Sequence, residues 1–518
     1  MFYFKSNNQL RLKAYKEISV RNEFIRIRKI RTGIGKVRFP KIKPENGLDL
    51  ELIFRQYYWE LFGKHRLEKK ILLALGKNKT IRFYPLLQEH CRVLKENGIE
   101  VSVYWTRISF WTVAFGIWCF SIFLFLKEIF LKKGVKGEDV KFMPFIYFDG
   151  LIKNNLPEYY QNGTSFDVVT WMLDNQKPKP TQIFHDVQNS KTVYHGKYTI
   201  ASLYGPLPIP KSYFKYFLSS SKLIFDSIID LMRGKWLKAF LLNEYLKAKR
   251  FDFIDLQQVA TQYLFYDSQS VYRPLWTYKA ENLGSKIILY SYSLSDRITP
   301  PTGVEENSDL EELKSWQEYW VWDEIHDLRL KSNFPKPIKT KIVGPINFSS
   351  RAIPIEFKNS FRIAIFDSPP LNEKNRLFFT TASDSGLLSE QVHINFLEEI
   401  FNIFNIKNKV DFYYKIKRSI DKKIEPKAYM KFLKTLESKN NFHLLNGDIS
   451  ATYLIENTDL TISFPFTSTG LIAKVKKKKS LYYDTTGNLF KFDKAAHGVP
   501  LISNKNELKK WFSQNIKI

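Results

Sequence analysis

From residue 361 onward, short apolar runs alternate with stretches of helical period. Phe361–Asp367 (FRIAIFD) is an apolar run of strand length, and Ser389–Asn405 repeats its apolar positions at helical spacing. Val410–Lys415 predicts a strand, Pro426–Ser438 a helix opened by proline, Phe442–Leu445 a short strand and Ile449–Asn457 a short helix. Leu460–Phe464 predicts a strand followed by a helix from about Thr467. Ser480–Asp484 predicts another strand, and Asn506–Gln514 the last helix. Strands that alternate with helices imply right-handed βαβ units and a parallel sheet covered on both faces. Residues 361–518 thus predict one Rossmann-like domain.

The earlier part carries the same pattern less regularly. Thr80–Pro85 and Glu100–Tyr104 predict strands around a helix at Leu86–Asn97. Further strands are expected at Phe145–Phe148, Val168–Met172, Gln182–His185 and Gln262–Tyr266. A helix at Ser270–Leu283 stops at Gly284 and feeds the strand Lys286–Tyr292, and Trp320–Trp322 reads as one more strand. A stretch rich in proline and charge between Glu324 and Phe361 interrupts these periods. The expected organisation is a basic arm with helices (1–79), a Rossmann-like domain (80–330), a crossover (331–360) and a second Rossmann-like domain (361–518). The fold class is therefore α/β, with two such domains facing a central cleft.

One segment belongs to neither pattern. Ile108–Leu126 (ISFWTVAFGIWCFSIFLFL) runs 19 residues without a charge, close to the roughly 20 needed to cross a bilayer. Both sides are basic, and positive segments resist translocation. The segment predicts an apolar helix, inserted in the first domain, that dips into the cytoplasmic leaflet. A full span and a buried core helix are the alternatives.

Charge sharpens that picture. The 518 residues carry 80 Lys+Arg against 52 Asp+Glu, a net +28. Residues 1–107 hold 24 of those cations against 10 acids, a net +14. Half of the excess thus lies beside the apolar run, which suits an anionic membrane surface. Two cysteines, Cys91 and Cys119, exclude a disulfide scaffold or a Cys-rich zinc site. There is no Gly-x-x-x-x-Gly-Lys-Ser/Thr loop, no His-Glu-x-x-His and no Gly-x-Ser-x-Gly. No metal site and no cofactor are expected, and nothing resembles a nucleic-acid module.

The strongest local motif is Phe464-Pro465-Phe466-Thr467-Ser468-Thr469-Gly470. A strand ends, a proline turns the chain, and three hydroxyl residues open a helix. Free amides and the helix dipole favour an anion there, and hydroxyls add donors to phosphate oxygens. An ordinary N-cap needs one hydroxyl, not three.

FPFTSTG resembles the signature of the polysaccharide-biosynthesis proteins named for a PFTS motif. The block Arg273-Pro274-Leu275-Trp276-Thr277-Tyr278-Lys279-Ala280-Glu281, with Gly284 and the strand Ile287–Tyr292, is similar to a second block of that family. Val321-Trp322-Asp323-Glu324 and Ile342-Val343-Gly344-Pro345 are similar to its crossover. The resemblance covers about 260–500. It implies a GT-B glycosyltransferase similar to bacterial sialyltransferase-like enzymes, taking a nucleotide-sugar, CMP-activated by analogy, as donor.

In those enzymes a Lys-x-His-Pro segment and a Ser/Thr cluster hold the donor phosphate. Here Thr467, Ser468 and Thr469 match the cluster and Lys415 the first segment, while Lys417 and Arg418 replace its His-Pro. Cations at a strand end can serve the same phosphate. Phe148-Asp149-Gly150 resembles half of the family's acidic motif and makes Asp149 the candidate general base. Asp267, His185 and Glu324 are the alternatives, and Asp323 and Glu324 are candidates for contacting the acceptor or bracing the cleft.

The implied function is a metal-independent, inverting transfer to a lipid-linked or surface glycan, on the cytoplasmic face of a bacterial membrane. A nucleotide-sugar 2-epimerase, a polyol-phosphate transferase and, more remotely, a basic nucleic-acid-binding protein are the other readings.

Overall fold

A computed structural model describes residues 24–516 apart from 40–41, 46, 64, 78–79, 132–143, 152, 154–155, 157–167, 204, 267–270, 292–312, 333, 335, 346–354, 369, 372–386, 406–408, 418–425 and 448. Two sheets organise the chain. The first contains β1 (Phe145–Asp149), β2 (Gln182–His185), β3 (Val193–His195), β4 (Tyr198–Ser202), β5 (Gln262–Tyr266), β6 (Lys286–Tyr290), β7 (Glu318–Val321) and β8 (Thr340–Ile342). Their spatial order is β3-β4-β2-β1-β5-β6-β7-β8. All neighbours pair parallel except the β3–β4 hairpin.

Alternate residues of each strand fill two different cores. Tyr147, Tyr263, Phe265, Ile287 and Leu289 pack on one face. Ile146, Phe148, Leu264, Ile288 and Tyr290 pack on the other. Burial on both faces is why these strands read as continuous apolar runs.

The second sheet contains β9 (Phe361–Phe366), β10 (Val410–Lys415), β11 (Phe442–Leu445), β12 (Leu460–Ser463), β13 (Lys479–Asp484) and β14 (Leu501–Ser503). Its order, β11-β10-β9-β12-β13-β14, is the doubly wound Rossmann order, and every pair is parallel. The two Rossmann-like sheets form a GT-B-like α/β architecture.

Several sequence expectations need correction. Thr80–Pro85 and Glu100–Tyr104 meet only in a single bridge, Ile81↔Val101. A long helix already starts at Val103, and Pro85 offers no amide to a ladder. The first sheet begins at Phe145; before it the described chain is helical, at Phe24–Gly35, Leu50–Tyr58, His65–Lys77 and Gln88–Glu96. Val168–Met172 is not a strand but the start of the helix Val168–Gln176, with Val168, Val169, Trp171, Met172 and Leu173 buried. A short apolar run does not by itself distinguish a buried helix from a strand.

The apolar segment is a 29-residue helix, Val103–Leu131. One side packs on the protein along its length. Phe110, Ala114 and Phe125 are buried, Trp118 Nε1 donates to Ser227 Oγ at 2.9 Å, and Glu128 pairs with Arg250 at 3.3 Å. The other side is exposed, so the helix is not a wholly buried core element.

Candidate functional site at the facing sheet edges

In a doubly wound sheet, ligands bind beyond the carboxyl ends of the strands, where the strand order reverses. In the second sheet that point lies between β9 and β12, and FPFTSTG directly follows β12. The Phe464 amide donates to the Phe366 carbonyl at 2.7 Å. Its ring stacks on the buried His393 at 4.5 Å. His393 lies 3.5 Å from Asp367, which also accepts from the Tyr414 and Tyr429 hydroxyls. This buried group fixes the exit of the motif. Phe466 then takes a left-handed conformation, φ 58°, which turns the chain into the helix Ser468–Val475.

The hydroxyls do not act as an ordinary cap. Thr467 Oγ1 turns back and donates to the Phe464 carbonyl at 2.8 Å, and no side chain caps this helix. Thr469 Oγ1 lies 2.9 Å from Ser463 Oγ and 3.2 Å from Thr467 Oγ1. Two hydroxyls thus shape the loop, while Ser468 stays part-exposed at the first helical position beside uncapped amides. Tyr482 holds the loop from below, its hydroxyl donating to the Thr467 carbonyl at 2.7 Å. Gly470 is needed for this approach: a Cβ there would stand 2.4 Å from the Tyr482 ring.

The basic segment is disposed differently from its motif. Lys415 is buried at the end of β10 and donates to the Gly447 carbonyl at 3.0 Å and the Ile416 carbonyl at 3.3 Å. Lys417 is exposed beyond the strand end. Arg418 lies outside the described residues.

The first sheet reverses order between β1 and β5. Asp149 ends β1 at this point, opposite Phe265. Gly150 follows with φ 83°, close enough to β5 that a Cβ would lie 3.3 Å from the Tyr266 carbonyl oxygen. Burial, and then the neighbouring Asp186 carboxylate, push the Asp149 carboxyl up to about 7, against the Gly150 amide and Lys247, which pull it down. Burial raises Asp186 too. Their two carboxylates lie at the ends of adjacent strands, and Tyr147 is raised by burial and by both of them.

The alternatives are placed as follows. His185 is buried, with its Nδ1 accepting from the Val187 amide at 3.2 Å and its Nε2 3.4 Å from Ser190 Oγ. Burial lowers it to about 4, so its ring is neutral and engaged within its own loop. Asp267 lies outside the described residues. Glu324 is exposed at the start of the helix Glu324–Ser332.

The two carboxyl edges meet. Asp323, just past β7, lies 2.8 and 3.0 Å from Nδ1 of His497, a buried residue between β13 and β14. Burial works to raise Asp323, but the His497 hydrogen bond and the His326 amide outweigh it and hold the carboxyl below its ordinary value. The His497 carbonyl in turn accepts from Lys474 at 2.6 Å, on the helix that opens at Ser468. One turn into that helix, Leu471 is buried in a core of the first sheet with Trp320 and Trp322. The hydroxyl motif therefore stands at the domain junction, opposite the sheet edge that carries Asp149. Asp323 stands out in the sequence as a candidate; its contact with His497, 174 residues away, has no local signal. Lys474 and Tyr482 carry no local signal.

Comparison with known proteins gives a family match and several remote structural alignments. The profile of a family described as "Polysaccharide biosynthesis PFTS motif protein" matches residues 219–512. No curated protein matches the sequence. Among solved structures, an Escherichia coli structure described as trehalose-6-phosphate bound with UDP-2-fluoro glucose aligns with TM-score 0.37 and 10% identity, over 72% of this chain and 92% of that one. A putative UDP-N-acetylglucosamine 2-epimerase from Listeria monocytogenes aligns with TM-score 0.37 and 9% identity, over 71% and 86%. The Streptomyces nogalater glycosyltransferase SnogD aligns with TM-score 0.32 and 9% identity, over 66% and 81%.

Proposed function

Because the chain belongs to the family of PFTS-motif polysaccharide-biosynthesis proteins, we propose that it is a GT-B glycosyltransferase that moves a sugar from a nucleotide-sugar onto a lipid-linked or surface glycan. The observation that carries this reading is the uncapped PFTS helix at one switch point, set across the junction from Asp149 at the other.

The donor's phosphate sits at the first turn of helix Ser468–Val475. Amides and the Ser468 hydroxyl bind it there, and Thr467 and Thr469 hold the loop that shapes the site. As the bond from sugar to phosphate breaks, charge builds on the leaving oxygen, and preorganised donors stabilise it most at that moment. Lys417 adds positive charge beyond the end of β10, Arg418 follows it in the sequence, and Lys415 holds the strand end through the Gly447 carbonyl. This set takes the part a divalent ion plays elsewhere.

Asp149 removes the acceptor hydroxyl's proton. A carboxyl raised to about 7 is a stronger base than an ordinary Asp and is half ionised near neutral pH. Attack from the face opposite the leaving phosphate inverts the sugar. Asp323 with His497 keeps the two edges closed, and Glu324 stands beside them toward the acceptor. The +28 charge and the apolar helix support a place on the cytoplasmic face of an anionic bacterial membrane.

The test is a calorimetric panel of CMP, CDP, UDP and GDP sugars on wild type and on the double variant Thr467→Ala, Ser468→Ala. One nucleotide is expected to bind, and the variant to weaken it at least roughly tenfold without loss of fold. Unchanged donor binding in the variant removes the motif from the mechanism. Sugar epimerisation without any acceptor would show an epimerase instead.

A further inference from the structure

A soluble helix buries its apolar side and shows water its polar side. Two helices here bury hydroxyl residues among their inward apolar ones and show large apolar side chains on the outside. On Val103–Leu131 the inward side carries Thr106 and Ser121, both buried. The outward side carries Phe115, Phe120, Phe123 and Phe130, which are 51–76% exposed. On the helix Tyr213–Met232, Ser220 and Ser227 are completely buried, while Phe214, Leu218, Phe225 and Met232 are 52–83% exposed. Between the helices, Trp118 donates to Ser227. Small hydroxyl residues inside and apolar side chains outside is how helices pack in lipid.

We infer that these two helices together form one face that lies in the interfacial layer of an anionic bilayer, with neither helix crossing it. This rests on the membrane-surface part of the function proposed above, not on the reaction. Three observations name the occupant. The exposed apolar residues of both helices are too many and too large for a surface kept in water. The exposed charges on the two helices are Arg107, Lys127, Lys215 and Lys222 against one exposed acid, Asp226, with Arg233 exposed at the C-cap of the second, which suits anionic headgroups. Both helices are also anchored to the body along their length. Phe125 and Tyr216 share a core with Leu242 and Leu246, and Glu128 is held by Arg250.

The placement has a mechanistic consequence. The helix Leu242–Arg250 turns Leu242 and Leu246 to the membrane pair, and its Lys247 pulls on Asp149. One helix thus packs on the membrane pair and carries a cation that acts on the candidate base. An acceptor anchored in lipid would arrive on the side of the sheet where Asp149 stands.

The test is flotation of the full-length protein with phosphatidylcholine vesicles, with and without phosphatidylglycerol. Wild type is expected to float with the anionic vesicles. Leu218→Glu with Phe225→Glu, and separately Phe120→Glu with Phe123→Glu, are each expected to weaken partition at least roughly tenfold. All four side chains are exposed, and an unchanged melting curve establishes that each variant folds. Leu218→Ser with Phe225→Ser is the milder substitute where the charged pair does not fold.

An environment-sensitive probe on Cys119, exposed midway along the first helix while Cys91 is buried, is expected to be quenched by headgroup-level lipid quenchers. Quenching only from the bilayer centre would mean a span and overturn the inference. Flotation lost by the Phe120/Phe123 variant but kept by the Leu218/Phe225 variant overturns the two-helix face and leaves single-helix association. A wild type that never floats overturns both. A dimer that the same substitutions dissolve, with no vesicle binding, assigns the face to a second copy and also overturns it.

Discussion

Asp149→Asn is expected to stabilise the protein at high pH while slowing transfer severely. The unfolded chain releases this proton near 3.8, and the folded chain near 7. Between those values the folded state holds a proton that the unfolded state has lost, so stability falls as pH rises. Each pH unit in that window is worth 1.36 kcal/mol. From pH 5 to pH 8 the wild type therefore loses about 3 kcal/mol through this one carboxyl, nearly all of it below pH 7. Asn has the same shape, can still accept from the Gly150 amide and never ionises, so the variant keeps that stability.

Parallel urea titrations of both proteins at pH 5 and pH 8 isolate the effect, because every other titrating group is common to the two. The expected result is a gap between the proteins that widens by about 3 kcal/mol between the two pH values. Transfer by the variant should fall by roughly 10²–10⁴. Removing the neighbouring charge with Asp186→Asn should move the acid limb of the pH–rate profile to lower pH, since the two carboxylates titrate as a pair. A stability gap that does not change with pH would show that Asp149 ionises in the ordinary range, and the base assignment would fail with it.

Two further outcomes follow from the geometry. Gly470→Ala places a Cβ 2.4 Å from the Tyr482 ring, so it should cost roughly 1–3 kcal/mol by overpacking and weaken donor binding. In a Tyr482→Ala background the same change should cost nearly nothing, and a double-mutant cycle in urea without coupling would refute the packing argument. Asp323→Ala removes the hydrogen bond that joins the sheet edges, which should cost about 1–3 kcal/mol and enlarge the protein in solution scattering. Because the Asp323 carboxyl is held below its ordinary value, the wild-type contact contributes its stability above about pH 4 and loses it as pH falls through the lowered value. An unchanged scattering radius in the variant would remove Asp323 from the closure.

The second sheet was legible because strands buried on both faces leave unbroken apolar runs between helical periods. Val410–Lys415 and Phe442–Leu445 have the expected ends. β14 escaped because three residues after Pro500 give no period to read. In the first half, Val168–Met172 shows the converse: β-branched and aromatic residues read as a strand, but the pocket they fill takes a helix. The long helix proved ten residues longer than its uncharged core, because Tyr104, Trp105 and Phe130 extend the apolar side past Arg107 and Lys127. The helix Tyr213–Met232 went unread, since its serines make it look amphipathic while pointing inward. At the site, three successive hydroxyls announced the PFTS loop. The environment of Asp149 depends on β1, β2 and β5 becoming neighbours, and strand order is a property of the folded sheet. The inward turn of Lys415 depends in the same way on where Gly447 falls.

The pairing of β1 with β5 limits how this chain can be divided. The family profile begins at residue 219, inside the helix Tyr213–Met232 and after β1 to β4. A fragment starting there would keep the donor loop but lose Asp149, and β5 would become a bare apolar edge open to aggregation. The part of the chain that bears the family signature is therefore not a module that can be expressed or transplanted alone. An exchange of acceptor preference between relatives would have to move β1–β4 together with the helices Val103–Leu131 and Tyr213–Met232, because the proposed base Asp149 and the proposed lipid-facing surface are carried by the same block.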